Sequence, residues 1–292
     1  MNKNIQMMKR FLTTLCITCL SISLCAQEQE KHEFTIGGSL GFSSMKLSIN
    51  SLMPTGGVAI GYNYFFNDIV GASTGLGWSL YQWKTALNPF TDSYPTHDDT
   101  EPFVLHSSFT DYVETQNASC LIIPLAIRFQ YPLFSDDFFT YFSIGGKAGF
   151  PLRSKYKTSE TTFTTSAYYP AYDVLLESPK SRGLGTFTGD KQIGDYPMRT
   201  MWMLNVEAGM KWDFSAQFSL YGGLSFDYSL NGVNSAKGKQ FLIYDPNNPT
   251  NYTFNSILNS QYTEGGQTKN FVARANPISL SIVIRVAYRI PD

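Results

Sequence analysis

The sequence predicts an all-β fold: an eight-stranded antiparallel up-and-down barrel that crosses a membrane. Three observations predict it, namely segments of alternating apolar and small or polar residues, connections that are short and long in turn, and an unusual composition. Charged residues make up 15% of the 292 residues, and aromatic residues make up another 15%. Ordinary soluble domains carry about a quarter charged residues, so this chain has few charges with which to cover a water-facing surface.

The N-terminus has the pattern of a secretory signal peptide. Three basic residues among the first ten precede an apolar run, Phe11–Leu24, which is too short to span a bilayer. Leu24-Cys25-Ala26 then offers a cleavage site. We therefore predict a signal peptide at 1–26 and a barrel domain at 27–292. Removing the signal takes away three positive charges and changes the formal charge from −1 to −4.

The cysteines exclude a disulfide-stabilised fold. Cys25 leaves a lipoprotein open as an alternative, although the bulky Leu24 before it disfavours lipid attachment. Of the four cysteines, only Cys120 lies outside the predicted signal, and one cysteine cannot form an intramolecular disulfide.

After the signal, no apolar run approaches the about 20 residues of a membrane helix. Any crossing of the membrane therefore has to be made by strands.

Eight segments alternate in the way that a strand requires, because successive side chains of a strand point to opposite faces. In the last segment Ile278, Leu280 and Ile282 share one face, while Ser279 and Ser281 share the other. Each segment is about long enough to cross a bilayer as a tilted strand. In chain order the segments are 34–42, 58–66, 70–80, 121–131, 141–150, 202–214, 218–230 and 278–290.

The connections between these segments alternate in length. Tight turns lie at 65–68, 132–139 and 213–218. Long polar stretches lie at about 46–55, 87–106, 155–198 and 234–276. Three short turns and four long loops require both termini to lie at the short-turn end, and the signal would place that end in the periplasm. Strand-like pieces in the two largest loops leave a count of ten strands open.

The composition of the two faces favours lipid over water outside the barrel. A soluble lipocalin-like barrel would point its large apolar residues inward, but its outer face here would be mostly Gly, Ser, Ala and Asn. Two aromatic belts with an aliphatic band between them are typical of a lipid-facing surface. We assign to the short-turn belt Phe65, Phe66, Phe134, Phe138, Phe139, Trp212, Phe214 and Phe218, and to the opposite belt Trp78, Tyr81, Trp83, Phe150 and Tyr228.

The polar face then carries charges into the barrel interior. Five are positive and three are negative, and they are Arg128, Lys147, Lys211, Arg285, Arg289, Glu207, Asp213 and Asp227. Confined charges have to pair with each other or bind water or ligands. A conducting pore is one interpretation. A salt-bridged polar core is the favoured one, because side chains can fill an eight-stranded barrel.

The sequence gives little support for catalytic or metal-binding residues outside this polar network. We expect neither an enzyme nor a cofactor or metal site. His106-Ser107-Ser108 resembles the His-x-Ser of lipid A deacylase barrels, with Glu114 as a conceivable acid. Continuous strand parity from 121–131 would point His106 and Ser108 inward. The acidic stretch 96–101 could bind a divalent cation, but a solvated loop is favoured. No Lys/Arg run suggests nucleic acid.

Four stretches, "SLCAQ", "FTIGGSLGF", "IIPLAIRFQYPL" and "ISLSIVIRVAYRI", make the chain resemble small outer-membrane barrels of the Bacteroidetes type, also called PorT-like. The resemblance covers nearly the whole chain after the signal and implies the architecture of OmpX and of the OmpA transmembrane domain. It implies no shared catalytic residues. The ending "YRIPD" lacks the terminal aromatic residue common in barrels of this kind, and no peptidoglycan-binding domain follows.

The expected function is that of an integral outer-membrane barrel with a structural or partner-binding role, as an accessory of a secretion or uptake complex for example. The Tyr-, Asn- and Pro-rich loop pieces 167–173 and 241–254 suit a protein partner. We expect outer-membrane lipid around a monomeric barrel. The alternative is a transport barrel that passes or binds a small solute.

Overall fold

The computed structural model describes residues 31–45, 52–133, 137–234 and 238–291; the predicted signal peptide and Phe134 lie outside them. These residues contain no helix long and apolar enough to span a membrane. In chain order the strands are β1 His32–Met45, β2 Met53–Phe65, β3 Val70–Leu87, β4 Phe90–His97, β5 Pro102–Phe109, β6 Tyr112–Pro132, β7 Phe138–Thr158, β8 Thr161–Tyr169, β9 Val174–Leu176, β10 Gly185–Gly189, β11 Ile193–Asp195, β12 Met201–Asp213, β13 Phe218–Ser229, β14 Lys239–Gln240, β15 Leu242–Ile243, β16 Thr253–Phe254, β17 Ser260–Glu264, β18 Gln267–Asn270 and β19 Pro277–Arg289. One short 3-10 helix, Lys180–Arg182, follows β9.

Eight of these strands form a closed antiparallel barrel. The order around it is β1, β2, β3, β6, β7, β12, β13 and β19, and β19 pairs back with β1. In that closing pair Glu33 lies opposite Arg289 and Phe42 lies opposite Leu280. All eight alternating segments are barrel strands, so the prediction of an eight-stranded barrel is confirmed. The strand-like loop pieces lie outside the barrel wall and do not raise the count to ten.

The alternation sorts the side chains as predicted. Ile282 and Leu280 of β19 are exposed on the outer surface, whereas Ser279 and Ser281 are buried inside. Along β12 Trp202 is likewise exposed, and polar side chains point inward from Asn205 to Asp213, whereas the inward side chains of Met201 and Met203 are apolar. An outer surface of this apolar character is stable against lipid tails, because burying it in water-free surroundings removes the hydration cost.

The aromatic belts are partly corrected by the structure. Phe66, Phe138, Trp212, Phe214 and Phe218 are exposed on the outside of the short-turn end, and Trp78, Phe150 and Tyr228 are exposed on the outside near the other end. The assignment of four other residues to the belts is wrong. Phe65 and Phe139 point into the barrel beside Lys211, and Tyr81 and Trp83 are buried inside it. The physical reason is parity: a strand sends residues an odd number of positions apart to opposite faces.

The short turns match the prediction, but the described residues of the long stretches 87–106, 155–198 and 234–276 fold into structure of their own. Most of the stretch 46–55 lies outside the described residues. Three barrel strands extend beyond the barrel wall at the long-loop end. There β3 runs on to Leu87, β6 begins at Tyr112, and β7 runs on to Thr158. Next to them β10, β8, β5 and β4 form a sheet, with β9 paired to β8. We call the strands β4, β5, β8–β11 and β14–β18 with their connections the loop module. Its buried core is largely aromatic and includes Phe103, Phe109, Phe163, Phe241, Tyr252 and Phe254.

Candidate functional site

The charged residues of the barrel interior lie in three layers, which we number from the short-turn end. The first layer contains Glu33, Lys211, Asp213 and Arg289. Lys211 Nζ lies 2.7 Å from Glu33 Oε1 and 3.7 Å from Asp213 Oδ1. Arg289 Nε lies 3.6 Å from Glu33 Oε1, and the Arg289 guanidinium also pairs with Asp213. Two cations therefore meet two anions.

Neutral side chains complete the first layer. The Tyr221 hydroxyl donates to Glu33 Oε2 over 2.6 Å, and Asn63 Nδ2 donates to the same oxygen over 3.2 Å. The rings of Phe65 and Phe139 each lie 5.4 Å from Lys211 Nζ. Hydrogen bonds of this kind offset the cost of removing a carboxylate from water. The layer also closes the short-turn end, where the Lys211 and Glu33 side chains are 3% and 1% exposed.

The second layer contains Arg128, Glu207 and Arg285. Glu207 pairs closely with Arg285, and its Oε1 accepts a 2.9 Å hydrogen bond from the Tyr141 hydroxyl. Arg128 Nη2 lies 4.0 Å from the same oxygen. The Arg128 guanidinium also lies over the rings of Tyr141 and Tyr221, at 5.2 and 4.9 Å from their centroids. In this layer two cations share one carboxylate.

The third layer is a single ion pair with neutral partners. Lys147 Nζ lies 2.8 Å from Asp227 Oδ1. Asn205 Nδ2 donates to the same oxygen over 2.7 Å, and Ser279 Oγ donates to Oδ2 over 3.2 Å. One cation is therefore balanced by one anion. A cavity of about 130 Å³ adjoins the second and third layers, and glycines such as Gly37, Gly57 and Gly75 form its opposite wall.

An apolar plug fills the barrel beyond the third layer. We define it by Tyr81, Trp83, Cys120, Met201, Met203 and Leu258, which belong to one buried cluster. Trp83 is 0% exposed and Leu258 is 1% exposed. Leu258 comes from the loop module, so a loop segment enters the barrel mouth from outside. The interior therefore changes from polar at the short-turn end to apolar at the long-loop end.

Glu114 holds this loop segment. Its carboxylate accepts hydrogen bonds from Ser256 Oγ at 2.5 Å and from the Ile257 backbone N–H at 3.1 Å. The Tyr112 hydroxyl and Gln116 Nε2 each donate over 2.9 Å. Glu114 itself is fully buried. A carboxylate with four donors is fully engaged in anchoring the segment, so it is not available as an acid for His106.

The structure places all eight predicted interior residues on the inner face of the barrel and joins each of them to at least one partner of opposite charge. Sequence reasoning missed Glu33, the acid that joins Lys211 to Arg289. Extending the alternation of β1 by one residue before Phe34 would have found it. The predicted network also left out Tyr141 and Tyr221, although the alternation places Tyr221 on the inner face. Their large rings fill the interior between the first two layers.

His106 and Ser108 lie in the loop module, and their predicted inward direction is wrong. β5 ends at Phe109 and β6 begins at Tyr112, so the parity of the barrel strand does not reach them. They line a polar cleft of about 490 Å³ between this sheet and the β17–β18 turn. In the cleft wall, Ser107 Oγ donates to the Asp92 carbonyl oxygen over 3.4 Å. Burial raises the pKa of the Asp92 carboxyl, although the Thr263 N–H donates to it.

The acidic stretch 96–101 covers the end of β4 and the turn that leads into β5. Asp98 Oδ1 accepts hydrogen bonds from the Thr100 and Glu101 N–H groups, each at 2.8 Å, and Oδ2 accepts one from the Tyr169 hydroxyl at 2.9 Å. Burial opposes ionisation of Asp98, but these donors lower its pKa to about 2. Among the described residues no group of three or more His, Cys, Asp or Glu side chains could hold a metal ion.

A closed antiparallel barrel with an apolar outer surface, aromatic residues near both ends and a polar inner face defines a transmembrane β-barrel. A model of the family described as outer membrane protein beta-barrel domain matches residues 25–235. The match spans more than half of the chain, and the chain therefore belongs to this family. Its membership places the barrel in the outer membrane, surrounded by lipid.

Solved structures with a similar fold include three outer-membrane proteins. Neisserial surface protein A is 12% identical, with a TM-score of 0.37, and the alignment covers 89% of this chain and 97% of that one. OprG from Pseudomonas aeruginosa is 11% identical, with a TM-score of 0.33 and coverage of 92% and 100%. A major outer membrane protein from Thermus thermophilus is 11% identical, with a TM-score of 0.38 and coverage of 89% and 99%. A search of curated proteins finds no match.

Proposed function

We propose that the protein is a closed structural barrel that holds the loop module at the cell surface for binding a partner. In this proposal residues 1–26 direct export, both termini lie in the periplasm, and the loop module faces outward. The barrel acts as a monomer of the PorT-like type and carries no enzymatic activity. The proposal depends on one observation above all: side chains fill the barrel at both ends of its polar cavity.

The filled ends support a structural role over solute passage. A solute entering from the short-turn end would meet Glu33 and Lys211, which are almost fully buried. A solute entering from the other end would meet the apolar plug, in which Trp83 is fully buried. Eight strands enclose an interior that side chains can fill, whereas water-filled channels use more strands. In a transport barrel, which is the alternative function, a passing solute would have to displace both the first charge layer and the apolar plug.

The loop module supports a binding role because it is folded and presents an apolar edge. Its aromatic core gives it a defined shape. At the β8–β9 hairpin Tyr172 and Leu175 are 63% and 51% exposed, and neighbouring Val174 is exposed too. The Tyr172 hydroxyl donates to Glu101 Oε1 over 3.0 Å, which steadies the ring. Aromatic residues such as Tyr172 are enriched in protein interfaces, and the buried core of an interface is depleted of charged residues.

The test combines cross-linking in native outer membranes with conductance recordings. A photo-reactive residue at Leu175 is expected to give a discrete cross-linked species, and one at the inward-facing Leu105 should give none. The double variant Tyr172→Ser, Leu175→Ser should lose a partner that copurifies with the wild-type protein. In planar bilayers the purified protein should show no stable channels. Stable single-channel steps, together with an unchanged protein profile on cross-linking, would favour transport instead.

A further inference from the structure

The three charge layers of the barrel differ in their balance. The first layer has two cations and two anions, and the third has one of each. The second layer has two cations, Arg128 and Arg285, and the one anion Glu207. The described interior of the barrel between the short-turn end and the plug therefore carries one surplus positive charge, and that charge is in the second layer.

The surplus belongs to Arg128. Glu207 pairs closely with Arg285, whereas Arg128 Nη2 remains 4.0 Å from the carboxylate. Arg128 Nε and Nη1 and Arg285 Nε have no hydrogen-bond partner among the described residues. The rings of Tyr141 and Tyr221 stabilise the Arg128 guanidinium through their π faces. Rings do not neutralise a charge, and the single Glu207 carboxylate cannot balance two buried cations.

Space for a counterion lies beside this layer. The cavity of about 130 Å³ is lined by both arginines and by Lys147, with neutral small residues on the opposite wall. A cavity needs about 10–15 Å³ of such volume to hold one water molecule, so this one has room for a small inorganic ion with waters. The acids that line it, Glu207 and Asp227, are already paired.

We propose that this cavity binds a small monovalent inorganic anion of the halide class, held by Arg128 and Arg285. The anion completes the charge balance of the second layer and accepts hydrogen bonds from Arg128 Nε or Nη1, which have no acceptor among the described residues. The site is independent of the proposed partner binding, because it is in the barrel interior and requires nothing of the loop module.

The first experiment is anomalous diffraction from crystals of the purified protein grown in sodium bromide. We expect a bromide peak in the cavity next to Arg128 in the wild-type protein. Arg128→Met removes the charge while keeping an unbranched side chain and should abolish the peak. Arg153→Met is the matched control, because Arg153 is exposed on β7, and it should keep the peak. Water alone in the wild-type cavity overturns the proposal, whether or not the Arg128 variant folds.

A second measurement tests the site in solution. Thermal unfolding is followed in detergent, with sodium chloride or with sodium gluconate at the same ionic strength. An ion that binds only the folded state raises the Tm. Chloride should therefore raise the Tm of the wild-type and Arg153→Met proteins above their values in gluconate, and this shift should be lost in Arg128→Met. An equal chloride effect in all three proteins would contradict a site at Arg128.

Discussion

The Lys211 ammonium lies 2.7 Å from Glu33 Oε1, although the two residues are 178 positions apart in the chain. Their strands do not pair: β13 and β19 lie between β12 and β1 in the barrel wall. The ion pair therefore crosses the interior rather than following the wall. Together with Arg289 and Asp213 it ties strands from both ends of the chain into one layer, which explains how so narrow an interior accommodates its charges.

Replacing Glu33 with Gln should destabilise the barrel more than the same substitution of an exposed glutamate does. The change leaves Lys211 and Arg289 with Asp213 alone, and breaking a buried ion pair by removing one partner costs about 3–5 kcal/mol. Glu160→Gln is the control: its pair with Lys191 is exposed, and such pairs contribute less than about 1 kcal/mol. The free energy of unfolding, from urea titration in lipid vesicles, measures both. Similar losses in the two variants would show that the first layer does not stabilise the fold.

The four tryptophans should divide into lipid-facing and interior residues. Trp78, Trp202 and Trp212 are 43%, 54% and 44% exposed on the outer surface, whereas Trp83 is 0% exposed inside the plug. Brominated acyl chains quench only fluorophores within reach of the lipid. In variants that keep a single tryptophan, we expect strong quenching for the three outer residues and weak quenching for Trp83. Strong quenching of Trp83 would mean that β3 faces the other way.

Removing the Glu114 carboxylate should loosen the plug. Glu114→Ala leaves the Ser256 hydroxyl and the Ile257 N–H without their acceptor, which costs about 1–3 kcal/mol for each buried unsatisfied group. Cys120 lies in the plug and is fully buried, so labelling by a water-soluble maleimide reports opening. Labelling should be slow in the folded wild type and at least several-fold faster in Glu114→Ala. Glu177→Ala, at an exposed site of the loop module, should label at the wild-type rate; equal rates in all three would disprove the anchoring role.

The turn between β4 and β5 should depend on pH at the acidic end of the scale. The ordinary Asp pKa is 3.8, and the folded turn lowers that of Asp98 to about 2. A depressed carboxyl pKa stabilises the fold above the unfolded-state value, and the contribution is lost as the pH falls through the folded-state value. Amide protection of Thr100 and Glu101, measured by hydrogen exchange, should therefore decrease between about pH 4 and pH 2. Asp98→Asn should remove that step, and the neighbouring Asp99→Asn should retain it.

The local alternation of apolar and polar residues was sufficient to predict the strands of the barrel wall. The alternation of 202–214 and 278–290 identifies β12 and β19 to within a residue or two, because an apolar outer face and a crowded inner face both act on every second residue. The same parity identified Arg128, Glu207 and Arg285 as interior. Interior residues were missed where a predicted segment was shorter than the strand. Glu33 precedes the first apolar residue of β1, and Trp83 lies beyond the segment recognised in β3.

The sequence by itself therefore determined the class of fold, the eight segments that form the barrel wall, the lipid-facing surface and most of the interior charges, since each follows from the environment of single strands. Only the tertiary structure decided which charges meet, how many counterions each layer has, and that Leu258 enters the barrel mouth from a loop. The physical reason is distance along the chain. Contacts such as Lys211 with Glu33 and Glu114 with Ser256 join residues 178 and 142 positions apart, and their geometry is set by the closure and register of the barrel as a whole.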